Sequence, residues 1–120
     1  AWSMAVWNGK LFCGTLPSGH VWRMEAGANA THDSALAPGW RHVAAVRERG
    51  ILKLYVDGAL VNSSHEFSPA DYDLTNNEPL LIGFGAHHSF TGGMRDVRLY
   101  RRALSAREAA RLASVPSDGA

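Results

Sequence analysis

The sequence predicts an all-β domain, an antiparallel β-sandwich with one short C-terminal helix. Three observations predict it. Short apolar or alternating runs recur about every eight to twelve residues, with turn residues between them. Asn8-Gly9 and Asp57-Gly58 are dipeptides that tolerate positive φ and join paired strands. A helical pattern with start and stop signals appears only after Ser105. Strands and helices do not alternate, which excludes a doubly wound parallel sheet. A barrel is the alternative, because strand number alone does not decide closure.

The elements follow in order. Residues 1–7, AWSMAVW, read as a strand with Ser3 as its polar member. Asn8-Gly9 turns the chain and residues 10–14 return. Pro17-Ser18-Gly19 marks the next turn. In residues 20–25, Val21, Arg23 and Glu25 face one way and His20, Trp22 and Met24 the other. A short strand is expected near 29–32, then a loop ending in Pro38-Gly39. Trp40 to Val46 is the next strand, and 47–50 is a polar turn. In ILKLYVD, Leu52, Leu54 and Val56 alternate with Lys53, Tyr55 and Asp57. The leucine side is the expected core face. Lys53 and Tyr55 are free to meet water, since an antiparallel sheet tolerates one wet side.

Asp57-Gly58 reads as a type I′ hairpin, with residues 59–62 going back. Residues 65–79 form a long polar connection. LLIGF at 80–84 is expected to be a strand, 85–93 a loop, and 94–100 the last strand, with Val97 and Leu99 inward. Ser105 and Glu108 have capping-box spacing, and Leu104 and Ala109 can form the hydrophobic staple around it. Alanines 106, 109, 110 and 113 with Leu112 favour a short helix, which Val115-Pro116 stops. No internal repeat or linker is visible, so residues 1–120 are expected to be a single domain.

Composition narrows the function. With 46% hydrophobic and 19% charged residues the chain is globular. A net charge of +1 argues against a general preference for polyanions. Charge is uneven, however. Arg95, Arg98, Arg101, Arg102, Arg107 and Arg111 outnumber Asp96 and Glu108, a local patch that suits a phosphate or an acidic glycan or is simply a solvated, salt-bridged surface. No helix-turn-helix or zinc-finger pattern supports nucleic-acid binding. No apolar run is long enough to span a membrane, and no signal-peptide pattern is present. Cys13 is the only cysteine, so no internal disulfide forms, and its apolar setting fits a small buried thiol.

The motifs of hydrolases and nucleotide-binding enzymes are missing. A glycosidase needs two carboxyl groups across a cleft, whereas the glutamates here are scattered. Asp71, Asp73, Asn76, Asn77 and Glu78 place hard oxygen donors within eight positions, which makes calcium the candidate ion. The alternative is a loop in which Asp and Asn bond their own backbone. His87-His88 lacks an assured third ligand for zinc. Sugar binding needs an exposed aromatic beside polar groups. Tyr72 and Phe90, both in loops, are the better candidates, with Tyr55 a third. His65, Asp71, Asn76, His87 and His88 are the candidate polar partners. Asn29-Ala30-Thr31 and Asn62-Ser63-Ser64 match the glycosylation sequon.

One stretch carries a resemblance. GWRHVAAVRERGILKLYVDGALV resembles the Trp-x-His-Val-Ala strand and Leu-Tyr-Val-Asp-Gly hairpin of laminin G-like, or concanavalin A-like, jelly-roll domains. PLLIGFG and FTGGMRDVRLYRRALSAREAARL are similar to that family's closing strands and terminal helix. The resemblance runs from Gly39 to Leu112, and the chain is short for the family. It implies that Trp40 anchors the core, that Asp57 and Gly58 make the hairpin, that Asp96 and Arg98 sit on the last strand, and that Leu104 docks the helix. These are scaffold roles, which leave function to the loops. The resemblance further implies a non-catalytic carbohydrate-binding module, extracellular, with a glycan as partner and calcium as the ion found in parts of the family. Its hydrolases carry a Glu-x-Asp-x-x-Glu pattern that is absent here. A structural or self-associating domain, a homo-oligomer, is the alternative, because missing strands leave sheet edges uncovered.

Overall fold

The structure, a computed structural model, describes residues 3–25, 27–84 and 89–115. Trp2, His87, His88 and Pro116 lie outside the described residues. Strands β1 (Ser3–Trp7), β2 (Lys10–Gly14) and β3 (Val21–Glu25) form one antiparallel sheet in that order. Strands β4 (Val43–Glu48), β5 (Ile51–Val56) and β6 (Ala59–Ser63) form a second. Helix α1 (Ala106–Ser114) is the one α-helix among the described residues, and a 3-10 turn spans Pro69–Tyr72. The chain is mostly β with one short C-terminal helix, consistent with a sandwich of two layers. Each sheet ends in free edges, so no closed barrel forms among the described residues.

Turn chemistry sets the hairpins. Asn8 and Gly9 have φ of 47° and 68°, and they place Trp7 opposite Lys10. Asp57 and Gly58 have φ of 49° and 81°, and Val56 pairs with Ala59. These double positive values are what a type I′ turn requires. The helix starts as its sequence spells out. Ser105 Oγ accepts from the Glu108 amide at 3.2 Å, and Glu108 Oε2 accepts from the Ser105 amide at 2.8 Å.

The core sits between α1 and the second sheet. Val46, Tyr55, Leu104 and Ala109 are buried, with Ala44, Ala103 and Leu112 packed around them. Leu104 is buried in one cluster with Ala109 of α1. Tyr55 corrects the sequence reading: it is 2% exposed, in the centre of the core. The alternation along β5 holds, but α1 covers the Tyr55 side, because the register places Tyr55 opposite Ala44, whose small side chain leaves room for the ring. Leu52, Leu54 and Val56 are only half-buried.

Several expected strands are not formed. Residues 29–32 and 80–84 are irregular apart from a bridge between Phe84 and Ser89. The strand expected from Trp40 begins at Val43. Residues 94–100 are not a strand either; Val97 and Leu99 are 56% and 76% exposed, not inward. Asp96 has φ of 55°, which breaks an extended path, and its carboxylate grips Arg98 two residues on at 2.8 and 2.9 Å. Trp40 does not anchor the core. It is 59% exposed; its ring lies against Gly93, under the Arg95 guanidinium at 4.2 Å.

The first sheet carries an uncovered apolar face. Its register stacks Met4, Cys13 and Trp22 in one row and Val6, Leu11 and Met24 in the next, all on one side. Met4, Val6, Trp22 and Met24 are each more than 60% exposed. The radius of gyration, 17.2 Å, exceeds the roughly 13–14 Å of a compact chain of this length. The two sheets are tied by amides. Asn62 Nδ2 donates to Asn8 Oδ1 at 3.0 Å and to the Thr31 carbonyl at 2.7 Å, while Asn29 Nδ2 donates to the Gly9 carbonyl at 3.1 Å. Both sequon asparagines thus serve the packing. No helix among the described residues is long and apolar enough to cross a membrane.

Candidate functional site

The loop around Tyr72 lines a depression. Arg47, Pro69, Ala70, Tyr72, Asp73, Leu74 and Thr75 line an open hollow of about 800 Å³. Pro69 starts the 3-10 turn, where its fixed φ suits the first position. That turn lifts Tyr72 onto Phe67, with ring centroids 4.6 Å apart in an edge arrangement. The Tyr72 hydroxyl accepts from the Ala28 amide at 3.2 Å. Arg47 crosses from β4 to the Phe67 ring at 5.6 Å and donates to the Pro69 carbonyl at 3.3 Å. Tyr72 is therefore a half-buried pin between distant loops, with its polar tip occupied.

The oxygen-rich loop is occupied by its own backbone. Asp73 Oδ1 accepts from the Thr75 amide at 2.9 Å, and Asn76 Oδ1 accepts from the Glu78 amide at 2.7 Å. The Thr75 hydroxyl and amide hold the Asp73 carboxyl below the usual carboxylate range, helped by the charge of Arg47. Asp71 and Asn77 are exposed. Among the described residues no three His, Cys, Asp or Glu side chains gather as metal ligands.

The other candidates do not join this hollow. Phe90 is 56% exposed and packs across Gly83 and Gly92. His65 and Asn76 are exposed outside the lining. His87 and His88 lie outside the described residues. Tyr55, buried under α1, is no sugar platform. Sequence reasoning missed Arg47 and Phe67 as partners of Tyr72. The only signal was an aromatic at Phe67, two residues before a proline.

The conspicuous sequence motif works as a latch. Asp57 Oδ1 accepts from the His42 amide at 3.0 Å, and Oδ2 takes Arg41 Nη1 at 3.0 Å. The His42 amide, followed by Arg41, lowers the Asp57 carboxyl below its ordinary value. Gly58 lets α1 sit on the hairpin; a Cβ there would lie 2.8 Å from Ala110 Cα. No lining of the hollow brings two carboxylates together.

This arrangement of β4 and the Asp57-Gly58 hairpin under a terminal helix has a match. The laminin G-like family described as the concanavalin A-like lectin/glucanases superfamily matches residues 3–110. The chain belongs to this superfamily. Among proteins similar to this concanavalin A-like chain, adhesion G-protein coupled receptor V1 of Danio rerio is 30% identical over 80 residues. That stretch is 65% of this chain and 1% of the receptor. The crystal structure of an S-layer domain-containing protein from Clostridium thermocellum, residues 221–444, is 29% identical with a TM-score of 0.56. It covers 88% of this chain, which in turn spans 52% of that one. Superfamily membership and the lining of the hollow fit a binding or structural domain.

Proposed function

We propose that this concanavalin A-like chain is a non-catalytic assembly module, which joins a second copy through the uncovered face of β1–β3. One observation carries the reading: Met4, Val6, Leu11, Cys13, Trp22 and Met24 make a charge-free face that is largely open to water. A contiguous exposed apolar face marks an interaction surface. Sandwich layers form when two such faces stack about 10 Å apart. The same face on two molecules is self-complementary about a two-fold axis, so a second copy is the occupant that needs no other partner. The name of the solved neighbour, an S-layer domain-containing protein, supports a surface-layer setting. Sedimentation velocity tests it. The chain should sediment as a dimer or larger species, and Met24→Glu should give a folded monomer. A monomer at every concentration for the unaltered chain refutes the reading.

A second reading, carbohydrate binding at the Arg47–Tyr72 hollow, is favoured by its open shape and by the polar atoms of Asp73 and Thr75. A glycan array probed with the folded chain decides it. Hits lost in Thr75→Ala support it, and an empty array rejects it.

A further inference from the structure

The outer edge of the second sheet carries an independent feature. β4 is the terminal strand in the order β4-β5-β6, and no backbone hydrogen bond joins it to any segment on its open side among the described residues. A groove of about 470 Å³ lies between β4 and the chain from Arg98 to Leu104. Arg47, Arg49, Arg98, Arg101 and Arg102 line it. Two of them are already neutralised, Arg98 by Asp96 and Arg102 by Glu108. Arg47, Arg49 and Arg101 have no carboxylate within ion-pair distance among the described residues. The lining holds no acidic residue.

We propose that this groove receives an extended acidic peptide, which adds to the sheet as a strand beside β4. An unpaired edge presents a row of amides and carbonyls that another main chain can pair. A polysaccharide offers no such ladder. A nucleic acid brings one charge per about 1.7 Å, too dense for a groove in which Arg98 and Arg102 are already paired. Side chains alternate along a strand, so Ala45 and Arg47 face one side of the sheet and Val46 the other, where it is buried against Leu104. A neighbouring strand follows the same alternation. It would place carboxylates on the side away from Val46, for the guanidinium forks of Arg49 and Arg101, since Arg47 is engaged by the Pro69 carbonyl and the Phe67 ring, and branched apolar residues on the Val46 side. The matching partner is a segment in which Glu or Asp alternates with Val or Ile. This surface is separate from the β1–β3 face, and the inference stands whether or not that face dimerises.

Fluorescence anisotropy with the full chain and a labelled peptide of alternating Glu and Val tests it. Five comparisons accompany the peptide: a Lys-Val peptide, the Glu-Val peptide N-methylated on the amides that face β4, polygalacturonate as competitor, and two double variants. The Glu-Val peptide should bind, the Lys-Val peptide should not, and N-methylation should weaken binding by about tenfold or more. Arg49→Gln with Arg101→Gln should also weaken it by about tenfold, with an unchanged melting curve. Arg107→Gln with Arg111→Gln, both outside the groove, should leave it unaltered. Four results overturn the proposal: no binding of the Glu-Val peptide, equal binding after N-methylation, displacement by polygalacturonate at matched charge concentration, or an equal loss in the Arg107 and Arg111 variant. The N-methylated peptide needs no altered protein, so the test survives a variant that fails to fold.

Discussion

Asp57 holds His42 from both directions. Its carboxylate accepts from the His42 amide at 3.0 Å, and its own amide donates to the His42 carbonyl at 2.8 Å. The side chain that permits the type I′ turn also fastens the chain ahead of β4, and Arg41 completes the clasp. Asp57→Ala removes the side-chain half of this latch. The variant should melt several degrees lower. Asp57→Asn, which keeps the bond from His42 but loses the charge, should fall between. The latch should also weaken in acid, since the folded carboxyl titrates below its ordinary value. Its stability is present above that value and is lost as pH falls through the folded one.

Gly58 is required twice, by its φ of 81° and by the approach of Ala110. Gly58→Ala should destabilise the fold by about 1–3 kcal/mol and loosen α1, read by chemical denaturation and by helix signal in circular dichroism.

Glu108 closes the capping box and pairs with Arg102 at 2.6 and 3.0 Å. Arg102, then the Ser105 amide and hydroxyl, pull its carboxyl from 4.5 to about 2. The folded value lies below the unfolded one, so this support is full above pH 4.5 and fades as pH falls toward 2. Amide exchange at the start of α1, taken relative to the intrinsic rate at each pH, should quicken across that window in the unaltered chain. In Glu108→Gln it should be fast already at neutral pH, with little further change.

Tyr55 and Tyr72 should respond differently to truncation. Tyr55→Ala empties the centre of the core and should cost about 3–5 kcal/mol. Tyr72→Ala frees the Ala28 amide and the Phe67 ring, and should cost about 1–2 kcal/mol while opening the loop at 69–75 to proteolysis. Denaturant titration separates the two.

The hairpins and the helix were legible because their cause is local. Asn-Gly and Asp-Gly state a backbone conformation, and Ser105 with Glu108 states a helix start, whatever surrounds them. The side of β5 that becomes core was not legible. Alternation fixes two faces, but only the docking of α1 decides that Tyr55 lies inside. Residues 80–84 and 94–100 show the same limit. Their apolar pattern is that of strands, yet a strand needs a partner to pair with, and at Asp96 the backbone leaves the extended region. In the candidate site, the loop position of Tyr72 was readable from its polar surroundings. Its pinning by Ala28 and Phe67 was not, because those contacts join segments distant in sequence.

The one cysteine reports directly on whether the open face of β1–β3 meets its own copy. Cys13 lies on β2, the middle strand of this face, between Met4 and Trp22. Treatment of the folded chain with a short bis-maleimide should trap a covalent dimer through Cys13, and the same treatment of Met24→Glu should leave monomers. A chain that sediments as a dimer yet stays uncrosslinked, with Cys13 still reactive toward a small maleimide, would contradict the account.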